Sequence, residues 1–160
     1  MSISVILTVW KRDNLEEQLQ AIKNQTADVS DIYVYQNESH VDIEYLKEKY
    51  EFKHIHSKDF NFKFHGRFTL PLLFDTEYTA IFDDDTVPNK KWLDHCKDLC
   101  LKNKCIVGAN CRNQNGFGCG LCDGKFNPEP IPCDIVGHCW FFKTEWIHYM
   151  WKENPPTYDN

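Results

Sequence analysis

Asp83, Asp84 and Asp85 stand consecutively in the chain, directly after the apolar run Tyr78–Phe82 and shortly before Pro88. Three like charges at one place repel one another. A divalent cation relieves that repulsion, because carboxylate oxygens are hard ligands for such ions. The same triplet would also suit a solvated acidic turn or the first turn of a helix, where the helix dipole favours negative charge. The elements around the triplet therefore decide between an ion site and a plain turn.

Tyr, Thr, Ile and Phe favour strands, and a short apolar run closed by a turn signal suits a buried one. Tyr78–Phe82 is thus predicted to be a strand that delivers the aspartates at its carboxyl end, where open α/β sheets bind ligands. Ser2–Trp10 is predicted as the first strand, its nearly continuous apolar run fitting a buried parallel position. Asp13 and Glu16 make a capping-box pattern ahead of a helix with Leu15, Leu19 and Ile22 on one face. Ser30–Gln36 is a second strand, ending at Asn37 and Glu38. Ser39 with Asp42 opens a short helix that turns Ile43 and Leu46 inward, and Glu51–His56 is a weaker third strand.

Asn61–Asp75 reads as an aromatic loop followed by an apolar stretch compatible with helix despite Pro71. The next helix is capped by Thr86 or the triplet, takes Pro88 into its first turn and carries Trp92, Cys96 and Leu99 on one face. Cys105–Ala109 is a fifth strand, and residues 110–133 form a long loop or short hairpins. Asp134–Phe142 is the last strand, and Thr144 starts a final helix. Strands alternating with helices imply one α/β domain, a doubly wound three-layer α/β/α sandwich whose mixed sheet is mostly parallel.

Composition narrows the function classes. The chain has 160 residues, 42% hydrophobic and 14% aromatic, enough for one globular domain with a real core. A formal net charge of -6 argues against a nucleic-acid partner, which needs a basic face. No stretch approaches the roughly 18 apolar residues of a membrane span. The N-terminal MSISVILTVWKRD has no basic region before its apolar run, so it reads as a strand and not as a signal peptide. The turn Trp10–Asn14 holds neither a GxGxxG nor a P-loop pattern, which excludes a glycine-cradled dinucleotide or ATP site. Any nucleotide here must be held by side chains and a metal.

Five short patterns then occur in a telling order. They are Thr8-Val9-Trp10-Lys11-Arg12, Gln36-Asn37, Gly66-Arg67-Phe68, Asp83-Asp84-Asp85-Thr86 and Gly137-His138-Cys139-Trp140-Phe141-Phe142. In this order the chain resembles the GT-A-fold glycosyltransferases, which move a sugar from a nucleotide donor with the help of a divalent metal. Among them it is similar to the exostosin-like transferases and to the N-terminal glycosyltransferase domain of a large chlorella-virus protein. The resemblance implies a GT-A domain over 1–160, with a nucleotide-binding half at 1–90 and an acceptor-side half at 91–160. It implies a cytoplasmic enzyme, in the host cytoplasm for a viral source. The donor would be a UDP-sugar and the cofactor Mn2+ or Mg2+. The acceptor would be a glycan or glycoprotein.

The resemblance also distributes roles. Asp85, helped by Asp83, would hold the metal, and Asp84 or Asp83 would accept hydrogen bonds from the ribose. Arg67 and Arg12 suit the diphosphate or uracil, since guanidinium groups make forked, charge-assisted hydrogen bonds. Asn37 offers a donor and an acceptor to a uracil edge, and Thr8 and Trp10 would line the base pocket. Plainer roles stand beside each of these. Arg67 could simply pair with an aspartate, Trp10 could belong to the core and Asn37 could be a turn residue. His138 is either a late metal ligand, as in some retaining members of the fold, or a core or acceptor-pocket residue. For the catalytic group the candidates are Asp134, at the head of the last strand, and Asp159. The family's late acidic pair precedes a final helix, and the sequence stops at Asn160 where that pair is expected. The resemblance therefore implies a natural chain that continues, with further domains.

The eight cysteines all lie in the second half. Without a secretion signal they read as reduced thiols. Cys119 and Cys122, set in GFGCGLCDG, could bind zinc with Cys111 and Cys133, which would make the chain a non-catalytic zinc-supported interaction module. Cys96, Cys100, Cys105 and Cys139 fall on apolar faces and in strands, where a free cysteine packs as a small hydrophobe.

Overall fold

A computed structural model describes residues 2–112 and 130–152. Its elements are β1 (Ile3–Val9), α1 (Leu15–Lys23), β2 (Asp31–Asn37), β3 (Lys53–Ser57), α2 (His65–Thr69), β4 (Tyr78–Phe82), α3 (Trp92–Asn103), β5 (Asn110–Arg112), β6 (Ile135–Gly137), β7 (Cys139–Lys143) and α4 (Ile147–Lys152). A five-stranded sheet runs in the order β3-β2-β1-β4-β7. The first four of these strands are parallel and β7 is antiparallel to β4.

The apolar run of β1 is explained by its central place: every residue from Ile3 to Val9 is buried. Side chains alternate across the pleat. Ile3, Val5, Leu7 and Val9 join Leu15, Leu19 and Ile22 of α1 and Leu93, Cys96 and Cys100 of α3 on one face. Ile6 joins Leu70, Ile81, Phe142 and Ile147 on the other. Helices thus cover both faces of the sheet, giving the three layers that the strand–helix alternation implies. After β1 the chain winds outward through β2 and β3, then crosses back to β4 on the opposite side of β1. That reversal opens a crevice at the carboxyl ends of β1 and β4.

Four local expectations are corrected. The capping box does not form: Asn14 is the residue before α1, and its side chain makes no cap. The helix after the triplet starts only at Trp92, so neither Thr86 nor the aspartates cap it and Pro88 lies in the preceding connection. Cys105–Ala109 is not a strand of the sheet; Val107 alone bridges to Phe141. The last strand is broken in two because His138 has φ 64, which directs β6 away to pair with β5 in a separate ribbon while β7 stays on β4.

Three of the described cysteines behave as packing groups, and Cys105, expected on an apolar strand, does not. Cys96, Cys100 and Cys139 are buried, and Cys105 is exposed. Burial pushes the Cys139 thiol up to about 12 and raises Cys96 further still. Thiolate is the reactive form. Iodoacetamide is therefore expected to modify Cys105 in the native chain and to reach Cys96 and Cys139 only after denaturation. Peptide mass mapping reads this, and native labelling of Cys96 would contradict its placement. Cys119 and Cys122 lie outside the described residues.

Candidate functional site

The acidic triplet sits where β4 ends, in the crevice between β4 and β1. Leu7 lies opposite Phe82 across the two strands, and the Thr8 hydroxyl donates to the Phe82 carbonyl at 3.0 Å. Thr8 is buried, so its hydroxyl ties the two strand ends together. On the other side β7 sets the register. Cys139 lies opposite Phe82, which puts His138 beside Asp83, and the Asp83 N–H donates to the His138 carbonyl at 3.1 Å. The Thr86 hydroxyl donates to the same carbonyl at 3.2 Å. The left-handed backbone of His138 thus aims both its carbonyl and its ring at the acidic turn.

Ligand atoms of Asp83, Asp85 and His138 all lie within 4.8 Å of one another. The His138 ring nitrogen Nδ1 is 3.8 Å from Asp85 Oδ1, and the ring is half-exposed, so it is not a core residue. The two carboxylates suit Mn2+ or Mg2+ completed by water and phosphate oxygens, and the imidazole nitrogen is a donor that Mn2+ accepts more readily than Mg2+. By this chemistry the residues fit a divalent ion.

Two arginines currently neutralise the triplet. Arg12, in the β1–α1 turn, donates to Asp84 Oδ1 at 2.8 Å and lies 3.2 Å from Asp85 Oδ2. The hydrogen bond to Asp84, then the charges of Asp84 and Asp85, raise the Arg12 guanidinium above its ordinary value. Arg67, on α2, pairs with Asp83. Arg67 is largely buried, and that burial lowers its guanidinium. Its Nε has no hydrogen-bond partner, and the guanidinium carbon stands 5.8 Å from the Trp140 ring centroid. The plain pairing of Arg67 with an aspartate is therefore what the structure shows.

The expected base-pocket residues divide. Trp10 is 41% exposed and so lies outside the core; its Nε1 donates to Glu38 Oε2 at 2.8 Å. Asn37 is buried with both ends of its amide engaged by protein. Its Oδ1 accepts from the Tyr35 hydroxyl at 2.9 Å and its Nδ2 donates to the Lys63 carbonyl at 3.2 Å. Asn37 thereby anchors the segment leading into α2, and that segment presses Gly66 against Tyr35. A Cβ on Gly66 would lie 1.9 Å from the Tyr35 hydroxyl oxygen, so only glycine lets α2 bring Arg67 this close to the sheet. Asp134 is exposed at the far end of the β5–β6 ribbon, its N–H donating to the Arg112 carbonyl. Four residues of chain separate it from His138, a reach of at most about 13 Å if fully extended. Asp159 lies outside the described residues.

Three contributors were not foreseen. Gln18 on α1 donates from Nε2 to the carbonyls of Asp83 at 2.7 Å and Thr86 at 2.8 Å. Asn14 Nδ2 donates to the Asp84 carbonyl at 3.3 Å. Glu38, with φ 57, gathers Trp10, Asn61 and His40 around one carboxylate, and the hydrogen bond from Trp10, then that from Asn61, holds its carboxyl below the ordinary range. A signal for Gln18 existed: it interrupts the buried stripe of Leu15, Leu19 and Ile22 with a polar group that needs partners.

No protein-family model matches the sequence, and no curated protein matches it. Solved structures do. Staphylococcus aureus TarS, residues 1–349 in complex with UDP-GlcNAc, superposes with a TM-score of 0.66 at 16% identity, over 97% of this chain and 49% of that one. The mannosyltransferase PcManGT from Pyrobaculum calidifontis, in complex with GDP-Man and Mn2+, gives 0.64 at 16% identity, over 92% of this chain and 46% of that one. The chain has the GT-A fold. It spans about half the length of these neighbours. A 4-diphosphocytidyl-2C-methyl-D-erythritol synthase from Anaerococcus prevotii also superposes, with a TM-score of 0.59 at 14% identity over 97% of this chain and 78% of that one. Among the described residues no helix is long and apolar enough to cross a membrane.

Proposed function

We propose that this GT-A domain is a metal-dependent glycosyltransferase that moves a hexosyl or deoxyhexosyl group from a UDP-sugar to a hydroxyl of a glycan or glycoprotein. The observation that carries the reading is the convergence of Asp83, Asp85 and His138 within 4.8 Å, flanked by Arg12 and Arg67, at the switch point of the sheet. Asp85 and Asp83 would hold Mn2+ or Mg2+, with His138 as a third ligand. A bound ion stabilises the negative charge that grows on the departing diphosphate. Arg12 and Arg67 exchange their carboxylate partners for phosphate oxygens, which offer the same forked geometry. Asp84, released from Arg12, is left to accept the ribose hydroxyls. Trp10 offers an exposed ring to the base, while Thr8 and Asn37 position the strand end and the Arg67 segment. The proton acceptor of an inverting reaction is assigned to Asp134 or Asp159. The narrower kinship with exostosin-like transferases or a chlorella-virus domain rests on the sequence motifs alone.

A nucleotidyltransferase reading draws on the likeness to the A. prevotii synthase. The β1–α1 turn argues against it: Trp10–Asn14 carries no glycine to let backbone N–H groups cradle a triphosphate. The zinc-module reading rests on Cys119 and Cys122 with Cys111 and Cys133.

A thermal-shift screen of CTP and of UDP-, GDP- and CDP-linked sugars, with and without Mn2+, tests these readings together. A ligand that binds the native state raises its melting point. Stabilisation by a UDP-sugar only when Mn2+ is present is the expected result. Stabilisation by CTP and not by any nucleotide sugar would favour nucleotidyl transfer. Stoichiometric zinc after dialysis, with no nucleotide response, would favour the module.

A further inference from the structure

The stretch from Asp83 to Lys91 belongs to neither β4 nor α3, so its backbone groups need partners elsewhere. One face of α1 and the turns at its ends supply them. Asn14 donates to the Asp84 carbonyl, and Gln18 donates both of its N–H groups, to Asp83 and Thr86. Gln25 Nε2 donates to the Asn89 carbonyl at 2.7 Å, while its Oε1 accepts from the Leu93 N–H at 3.1 Å. The Thr26 N–H donates to the Lys90 carbonyl at 3.0 Å. Asn14 and Gln18 stand about one helical turn apart, Gln25 and Thr26 lie just past the C-cap of α1, and together they hold the backbone of the connection from Asp83 to Lys90.

Within this ladder Gln18 is the member under the acidic turn. It is 1% exposed and lies among Leu15, Leu19 and Ile22, where an apolar side chain would pack as well. Its amide has two N–H groups, and both close on carbonyls that bracket the triplet. The Asp83 carbonyl that it grips also accepts the Thr86 N–H at 3.0 Å, the bond that closes the turn. From the opposite side the His138 carbonyl holds the Asp83 N–H and the Thr86 hydroxyl. The turn is therefore clamped between α1 and β7, and the clamp sets where the Asp83 and Asp85 carboxylates point.

We propose that Gln18 is a positioning residue for the metal site: its amide bonds the backbone carbonyls of Asp83 and Thr86 rather than the ligand carboxylates, and it acts by fixing the turn that presents Asp83 and Asp85 toward His138. This inference rests on the metal-dependent reading above. Outer partners of metal ligands typically account for roughly 10- to 100-fold in metal affinity. The test titrates Mn2+ into the full 160-residue chain with saturating UDP, reading free Mn2+ by its paramagnetic resonance, with melting temperatures measured in parallel. Gln18→Met is expected to raise the half-saturating Mn2+ concentration roughly tenfold or more. Gln25→Met breaks the same ladder away from the carboxylates, and it should lower the melting temperature while leaving the Mn2+ requirement unchanged. Equal Mn2+ requirements in the two variants would overturn the assignment. Should Gln18→Met fail to fold, Asn14→Ala decides, because Asn14 is only partly buried. Loss of its single long bond should raise the Mn2+ requirement roughly threefold, and no change would overturn the clamp. Wild-type chain that takes up no Mn2+ with UDP would sink the parent reading, and this one with it.

Discussion

An Asp85→Ala chain is expected to lose Mn2+-dependent UDP binding by roughly 100-fold or more while keeping its fold. Removing one carboxylate from a cation site deletes a charged, oriented ligand, a loss on the order of 3 kcal/mol, and each 1.4 kcal/mol is tenfold in affinity. The fold has little stake in this side chain. Asp85 meets Arg12 at 3.2 Å, but the Arg12 side chain is 55% exposed, and water screens exposed pairs so that they add little to stability. Arg12 also keeps Asp84 at 2.8 Å. Deleting one of three adjacent negative charges relieves repulsion and offsets part of even that. Calorimetric titration of UDP at fixed Mn2+, with a chelator control, separates the outcomes. Unchanged Mn2+ dependence in this variant would move the ion elsewhere.

What was legible in the sequence followed local burial. Tyr78–Phe82 is a strand with those same ends because all five of its residues are buried, and a continuous apolar run states that directly. Burial of Ile43 and Leu46 and the helical stripe of α1 were legible for the same reason. The triplet could be placed at a strand's carboxyl end, and from there at a switch point, by the topology rules of α/β sheets. Register between distant strands was not legible. That His138 opposes Asp83 depends on β7 joining β4 antiparallel, and on a left-handed residue breaking an apparently continuous run Asp134–Phe142. Nothing local to Gly-His-Cys-Trp marks that break. Gln18 escaped for a related reason: its partners lie 65 and 68 residues away. Asn37 matched the motif yet has both ends of its amide bonded inside the protein, because residue type does not reveal which neighbours reach it first.

Arg67→Ala should weaken UDP binding far more than Lys63→Ala, and the direction of its effect on Mn2+ tells why. Arg67 is largely buried, pairs with Asp83 and stands 5.8 Å from the Trp140 ring. Its Nε lacks a partner, so the guanidinium is held in the crevice with unused donor capacity. Lys63 contributes its carbonyl to Asn37, a bond that an alanine retains, and its own side chain is exposed. Breaking a buried ion pair costs about 3 kcal/mol of stability, because one charge stays behind without its partner. Losing a guanidinium from a diphosphate costs about 1.5 to 3 kcal/mol, so UDP affinity should fall roughly 10- to 100-fold for Arg67→Ala and less than about twofold for Lys63→Ala. A merely structural arginine would weaken every ligand alike. An arginine that trades a carboxylate for phosphate would not: with Arg67 gone, Asp83 no longer has a competing cation, so Mn2+ without nucleotide should bind as well as in the wild type or better. Titrating Mn2+ alone and then UDP at saturating Mn2+ separates the two cases. Parallel losses of Mn2+ and UDP affinity in Arg67→Ala, or equal UDP losses in the two variants, would remove Arg67 from the diphosphate and leave it as a structural partner of Asp83.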